Sequence, residues 1–90
     1  NAAGLGFSLT ADSSVEVSTS SGEVLEASLL RAGSSRSFPV DAGLRVSLGN
    51  AGGVELRLNG ESIDVSAFQR ANVARFRLGA DGALAPANPG

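Results

Sequence analysis

Arg45, Arg57, Arg75 and Arg77 each interrupt a short apolar run, Leu44–Leu48, Val54–Leu58 or Val73–Leu78, at every second position. A guanidinium presents a planar fork of donors that matches a carboxylate or phosphate, so a row of arginines suits binding an acidic surface better than making bonds. Other chemistries have less to work with. The serines are numerous, but a serine nucleophile needs a base, and the chain has no His and no Lys, its seven cations all being Arg. Glu16 and Glu26 are expected at outward positions of neighbouring strands, where two carboxylates can approach as in a glycosidase. With no aromatic-lined cleft in prospect, solvated glutamates are the expectation there. The run Gly49-Asn50-Ala51-Gly52-Gly53 has the glycines of a phosphate loop, but a strand pattern follows where a helix N-terminus is required. It reads as a turn. The absence of Cys and His removes thiol chemistry and the usual zinc and haem ligands. No catalytic residue, metal or cofactor is expected, and the chain does not read as an enzyme.

The elements that carry these side chains have a period of two. Leu44, Val46 and Leu48 alternate with Arg45 and Ser47, and Val54, Leu56 and Leu58 with Glu55 and Arg57. Val15 and Val17 flank Glu16; Leu25, Ala27 and Leu29 alternate with Glu26 and Ser28. Successive side chains of a strand leave opposite faces, so each run has an apolar and a polar side, as in an antiparallel sheet with one face buried. Turn residues separate the runs: Ser20-Ser21-Gly22, Ala32-Gly33-Ser34, Asp41-Ala42-Gly43, Gly49 to Gly53, and Asn59-Gly60. Asn-Gly favours the type I′ hairpin and joins 54–58 to 61–65. Strands are predicted at 5–10, 14–19, 23–30, 36–40, 44–49, 54–58, 61–65 and 73–79. Residues 66–72 are expected to hold a single helical turn capped by Ser66. The fold class is all-β, an antiparallel β-sandwich of about 7–8 short strands with Greek-key-like connections. Its expected core is Val15, Val17, Leu25, Leu29, Phe38, Leu44, Val46, Leu48, Val54, Leu56, Leu58, Ile63, Phe68, Phe76 and Leu78.

Ninety residues make one domain. The chain does not begin with Met, so residues 1–4 are expected to be leader or tag remnant, residues 5–79 the β domain, and residues 80–90 a disordered tail. A hydrophobic fraction of 42% favours a packed globule. No apolar stretch approaches the ~20 residues that span a bilayer. A net charge of −2 argues against a nucleic-acid partner. The charge is unevenly spread: residues 1–30 hold Asp12, Glu16, Glu23 and Glu26 and no cation, whereas every Arg lies beyond them. Should 44–48, 54–58 and 73–78 share a sheet, Arg45, Arg57, Arg75 and Arg77 line its outer face with Glu55 among them, ready for an acidic partner or an anionic wall polymer.

Several of these segments, in order, resemble the C-terminal domain of the RodZ cell-shape family. They are Val15-Glu16-Val17, Ser21-Gly22-Glu23-Val24-Leu25, Ser28 to Gly33, Leu44 to Ala51, Val54 to Gly60, Ile63-Asp64-Val65-Ser66 and Asn72 to Leu78. Together they cover about 65 residues in consistent spacing. One departure is Ser14, where the family usually has Trp just before the Val-x-Val pair. The resemblance implies a periplasmic β-sandwich at the end of a bitopic inner-membrane protein. By the same resemblance, the parent is expected to carry a cytoplasmic helix-turn-helix domain bound to the actin-like filament MreB, with a transmembrane helix and linker between the two domains. The implied role is non-catalytic, linking that cytoskeleton to cell-wall elongation through cell-wall synthesis membrane proteins or peptidoglycan. A peptidoglycan- or carbohydrate-binding module is the alternative. It lacks Trp and Tyr platforms and would rest on Phe7, Phe38, Phe68 and Phe76, three of them assigned to the core.

Overall fold

The computed structural model describes residues 4–40 and 43–86. Its strands are β1 Leu5–Leu9, β2 Ser13–Thr19, β3 Val24–Leu30, β4 Ser35–Phe38, β5 Leu44–Leu48, β6 Val54–Leu58, β7 Glu61–Ser62, β8 Gln69–Arg70, β9 Val73–Leu78 and β10 Leu84–Pro86. They form two antiparallel sheets. Sheet A has the order β4-β1-β6-β7, and sheet B the order β10-β9-β5-β2-β3 with β8 also paired to β9. The chain passes between the sheets at β1–β2, β3–β4, β4–β5, β5–β6 and β7–β8. All-β sandwich architecture is therefore correct, with strands beyond the eight predicted.

Period-two patterning places the core as a strand rule requires. Leu44, Val46 and Leu48 of β5 face Val15 and Val17 of β2 and Ala74, Phe76 and Leu78 of β9, all buried. Sheet A supplies Leu5, Phe7, Leu9 and Leu56 from the other side. Phe7 is 1% exposed and meets Phe38 edge-on at 5.8 Å between ring centroids. The predicted core omitted all of β1 (Leu5, Phe7 and Leu9), although Leu5-Gly6-Phe7-Ser8-Leu9 alternates cleanly.

Edge strand β3 departs from the prediction. Its register against β2 shifts between Val17 and Ser18, so that Val17 pairs with Glu26 while Ser18 pairs with Val24. Leu25 is the extra residue of a β-bulge, which turns Val24 to the outer face, whereas the unbroken pairing of residues 26–30 with 13–17 sets Leu29 outward and Leu30 inward. Leu30 is buried, and Leu29, assigned to the core from its sequence spacing, stands 64% exposed. Leu25, Phe38, Val54, Leu58, Ile63 and Phe68 are only partly buried against the core. Opposite β3, Arg36 of β4 reaches Glu26 at 3.5 Å, an ion pair joining the edges of the two sheets. An inward-facing charge of this kind discourages edge-to-edge association.

The Asn59-Gly60 turn is as predicted. Both residues have positive φ, 52° and 89°, the type I′ signature, and Leu58 pairs with Glu61 across it. Asn59 also anchors the start of the domain. Its Oδ1 accepts from the Gly4 N–H at 2.8 Å, and its own N–H donates to the Gly4 carbonyl at 2.9 Å. Residue 4 thus belongs to the domain and not to a leader; residues 1–3 lie outside the described residues. Gly4 has φ +113°, and a Cβ there would stand 2.4 Å from the Phe38 carbonyl oxygen. Gly4→Ala is expected to cost about 1–3 kcal/mol, read as a lower urea midpoint at unchanged slope.

β7 is shorter than the predicted 61–65, though the Ile63 N–H still donates to the Leu56 carbonyl. The Asp64 carboxylate then accepts from the Ser66 N–H at 2.9 Å and turns the chain into a 3-10 turn at Ser66–Phe68. The N-cap position of that turn is Val65, with no side-chain cap, so the cap expected of Ser66 is not made; the Asp64 carboxylate, one residue before the N-cap, holds the Ser66 N–H instead. Beyond that single turn, residues 69–70 join β9 as β8 rather than continuing helically.

Hydrogen bonding to Ser66, first from its N–H and then from its hydroxyl, holds the Asp64 carboxyl below its ordinary value. The stabilisation is therefore complete above the unfolded-state pKa and is lost as pH falls through the lower, folded one. In an acid titration followed by carboxyl NMR, Asp64 should protonate below its ordinary range. Ser66→Pro, which removes the N–H, should move it back up.

The expected disordered tail is corrected in part. Leu84 packs on the core opposite Leu78, and Ala85 and Pro86 pair with Arg77 and Phe76. The hairpin is closed by Gly82 N–H to the Gly79 carbonyl at 2.9 Å and by Ala83 N–H to Asp81 Oδ1 at 3.1 Å. Asp-Gly is itself a hairpin signature, here following an apolar run. Residues 87–90 lie outside the described residues, as do residues 41–42 of the predicted Asp41-Ala42-Gly43 turn.

Candidate functional site: the outer face of sheet B

Cross-strand pairing decides which side chains share a face. Arg45 of β5 lies directly opposite Arg77 of β9, and Ser47 lies opposite Arg75. On the far side of β9, Arg70 of β8 pairs with Val73, which has the outward parity of Arg75 and Arg77. Arg45, Arg70, Arg75 and Arg77 therefore project from one face. Paired residues in a sheet point to the same side, and like charges set opposite each other destabilise it. None of the four has a carboxylate oxygen within 4.0 Å among the described residues. Arg77 is partly buried, and its Nε donates to the Pro86 carbonyl at 3.1 Å.

Arg57 does not join this group, which corrects the predicted stripe. Strand β6 belongs to sheet A, paired to β1 and β7. There Arg57 is answered by Glu55 of its own strand, with Nη2 and Oε2 3.3 Å apart. The remaining outward positions of that sheet are small or hydroxylated: Gly6, Ser8, Ser35, Ser37 and Ser62. Alternation in the sequence identifies the face of a strand but not the sheet it enters. Arg70 was missed because β8 is two residues long and carries no alternation of its own.

Across sheet B the outer face changes character. β2 contributes Ser14, Glu16 and Ser18, and edge strand β3 contributes Leu29, Ala27 and Val24 opposite them. Val24 and Leu29 are the exposed large hydrophobics, 65% and 64% accessible. One face thus has a cationic side on β5, β8 and β9 and an apolar side on β3. Ser14, where the resemblance led to the expectation of a Trp, stands exposed opposite Leu29. That position belongs to the surface, and its substitution leaves no gap in the core.

The catalytic candidates dissolve on this geometry. Glu16 pairs with Ala27 on the outer face, whereas Glu26 pairs with the buried Val17 and turns inward to Arg36. The two glutamates sit on opposite faces, contrary to the prediction that both point outward. Among the described residues no three carboxylates gather as a metal site.

The glycine run 49–53 is structural. It forms a 3-10 turn at Ala51–Gly53 that leads into β6. Asn50 N–H donates to the buried Ser13 Oγ at 3.0 Å, Asn50 Nδ2 to the Asp12 carbonyl at 2.8 Å, and Asn72 Nδ2 to Asn50 Oδ1. Asn72 Oδ1 in turn accepts from Gly52 N–H at 3.0 Å. These bonds tie β2, the β5–β6 turn and the β8–β9 turn together at one end of the sandwich. Their amide groups are occupied with one another rather than aimed at an anion.

The phenylalanines are committed to packing. Phe7 and Phe76 are buried, and Phe38 and Phe68 are partly buried beside them, Phe68 with its ring centroid 6.3 Å from that of Phe76.

The molecule is thus an all-β sandwich domain with one strongly cationic sheet face. Residues 6–77 match the RodZ C-terminal domain, and the chain belongs to that family of cell-shape protein domains. Comparison with curated proteins and with solved structures gave no match. No helix among the described residues is long and apolar enough to cross a membrane.

Proposed function

We propose that this domain is the non-catalytic, extracytoplasmic interaction module of a single-pass inner-membrane cell-shape protein. It lies in the periplasm and connects the MreB cytoskeleton to cell-wall elongation by binding wall-synthesis membrane proteins. Membership of the RodZ family supports the cell-shape context. The observation that carries the interaction role is the cluster of Arg45, Arg70, Arg75 and Arg77 on one sheet face, without carboxylate partners among the described residues. A folded domain gains no stability from guanidinium groups set opposite each other. A complementary acidic surface compensates their repulsion and aligns the partner.

The carbohydrate reading is the weaker one, because the four rings it would use are packed against the core. The chain has no Cys, which makes the location directly measurable. In the full-length parent protein, Ser37→Cys should react with a membrane-impermeant maleimide once the outer membrane is opened. Protection until the inner membrane is lysed would contradict a periplasmic position. Removal of residues 5–86 from the parent should abolish its cross-linking to wall-synthesis membrane proteins; unaltered cross-linking would overturn the interaction role.

A further inference from the structure

We infer that the outer face of sheet B binds a polypeptide segment carrying aliphatic side chains along one flank and carboxylates along the other. This rests on the interaction role proposed above and names its surface and partner chemistry. Val24, Ala27 and Leu29 form an exposed apolar margin on β3, and Arg45, Arg70, Arg75 and Arg77 a cationic margin beyond β2. At ~4.8 Å per strand, β5 lies about 10 Å and β9 about 14 Å from β3. A helix with its side chains is about 10–12 Å across, so a single amphipathic segment laid along β2 meets the apolar margin on β3 and Arg45 on β5. Arg75 and Arg77 on β9 reach in toward its carboxylate flank, while Arg70 on β8 lies a strand farther out. Aliphatic side chains on β3 exclude water, and carboxylates reaching the guanidiniums form charge-assisted bonds.

Two other occupants fit less well. An anionic wall polymer matches the arginines but has no use for Val24 and Leu29. A second copy stacked on the same face would set four arginines against four, with Glu16 the only carboxylate among the described strand residues of that face to offset them, and like-charge juxtaposition opposes it.

The test places a photo-cross-linking amino acid at Leu29, and separately at Ser37 on sheet A, in the full-length membrane-anchored protein in cells. Position 29 should give a protein adduct whose cross-linked peptide, sequenced by mass spectrometry, carries Asp or Glu beside aliphatic residues. Position 37 should not. Combining Arg45→Ser, Arg75→Ser and Arg77→Ser should lower the yield at position 29 about tenfold or more, a loss of ~1.4 kcal/mol or greater. Arg57→Ser should leave it unchanged. Arg75→Glu should abolish the adduct, and exchanging the mapped partner carboxylate for Lys should restore it.

An adduct made of two copies of this chain overturns the inference in favour of self-association. One released only by digesting peptidoglycan overturns it in favour of the wall polymer. Equal yields at positions 29 and 37, or none at 29, also overturn it. The underlying role is judged separately, by removal of the domain. A removal that disrupts partner cross-linking while position 29 stays silent defeats this surface alone.

Discussion

Phe76→Ala should destabilise the domain by about 3–5 kcal/mol, the usual cost of emptying a closed aromatic site. Phe76 is fully buried at the middle of β9, opposite Val46 of β5 on one side and Pro86 of β10 on the other. The neighbours have little freedom to fill the space, since β9 holds β5, β8 and β10 together. A domain of this size is stable by roughly 0.05–0.15 kcal/mol per residue, so the loss removes a large share of the total. With neither Trp nor Tyr in the chain, urea unfolding is best followed by far-ultraviolet circular dichroism. The midpoint should drop sharply at unchanged slope. A change below ~1 kcal/mol would mean that the two sheets do not close over this ring.

Leu30→Ala should cost about 2–5 kcal/mol, and Leu29→Ala should lie within about 0.5 kcal/mol of the unaltered domain. Two adjacent leucines on one strand would differ this widely only if they leave opposite faces. Leu30 pairs with the buried Ser13 and is itself buried, while Leu29 pairs with exposed Ser14. The same unfolding experiment checks both. Equal losses, or a greater loss for Leu29, would contradict the pairing of Leu30 with Ser13 and of Leu29 with Ser14. The outer apolar margin would then vanish, and with it half of the inferred binding surface.

That pair of leucines marks how far the sequence is legible. Alternation over Leu44–Leu48, Val54–Leu58 and Val73–Leu78 locates strands and their apolar faces, because the side-chain period is a local property of the backbone. Asn59-Gly60 specifies its hairpin for the same reason: two positive φ angles suit those residues. Register and sheet membership are not local. The bulge at Leu25 arises where β3 meets β2, and nothing in the spacing of Leu25, Ala27 and Leu29 announces it. Arg57 joined the predicted stripe because its strand looks like that of Arg45. Its partner strand β1 is distant in sequence, and only that pairing puts it in sheet A. Short β8 and β10 draw their existence from β9, which offers an open edge to Arg70 and Leu84. The cationic character of the candidate site was thus visible, but its membership and its apolar neighbour were not.

The arginines divide between the two sheets, and that division can be read in cells. Full-length protein bearing Arg45→Ser, Arg70→Ser, Arg75→Ser and Arg77→Ser should reproduce the cell-width defect of a strain lacking the domain. Protein bearing Arg57→Ser on sheet A, at equal abundance and with the same unfolding midpoint, should keep cells at the parental width. Parental width in the first strain, or the same defect in both, would contradict a docking role for the outer face of sheet B.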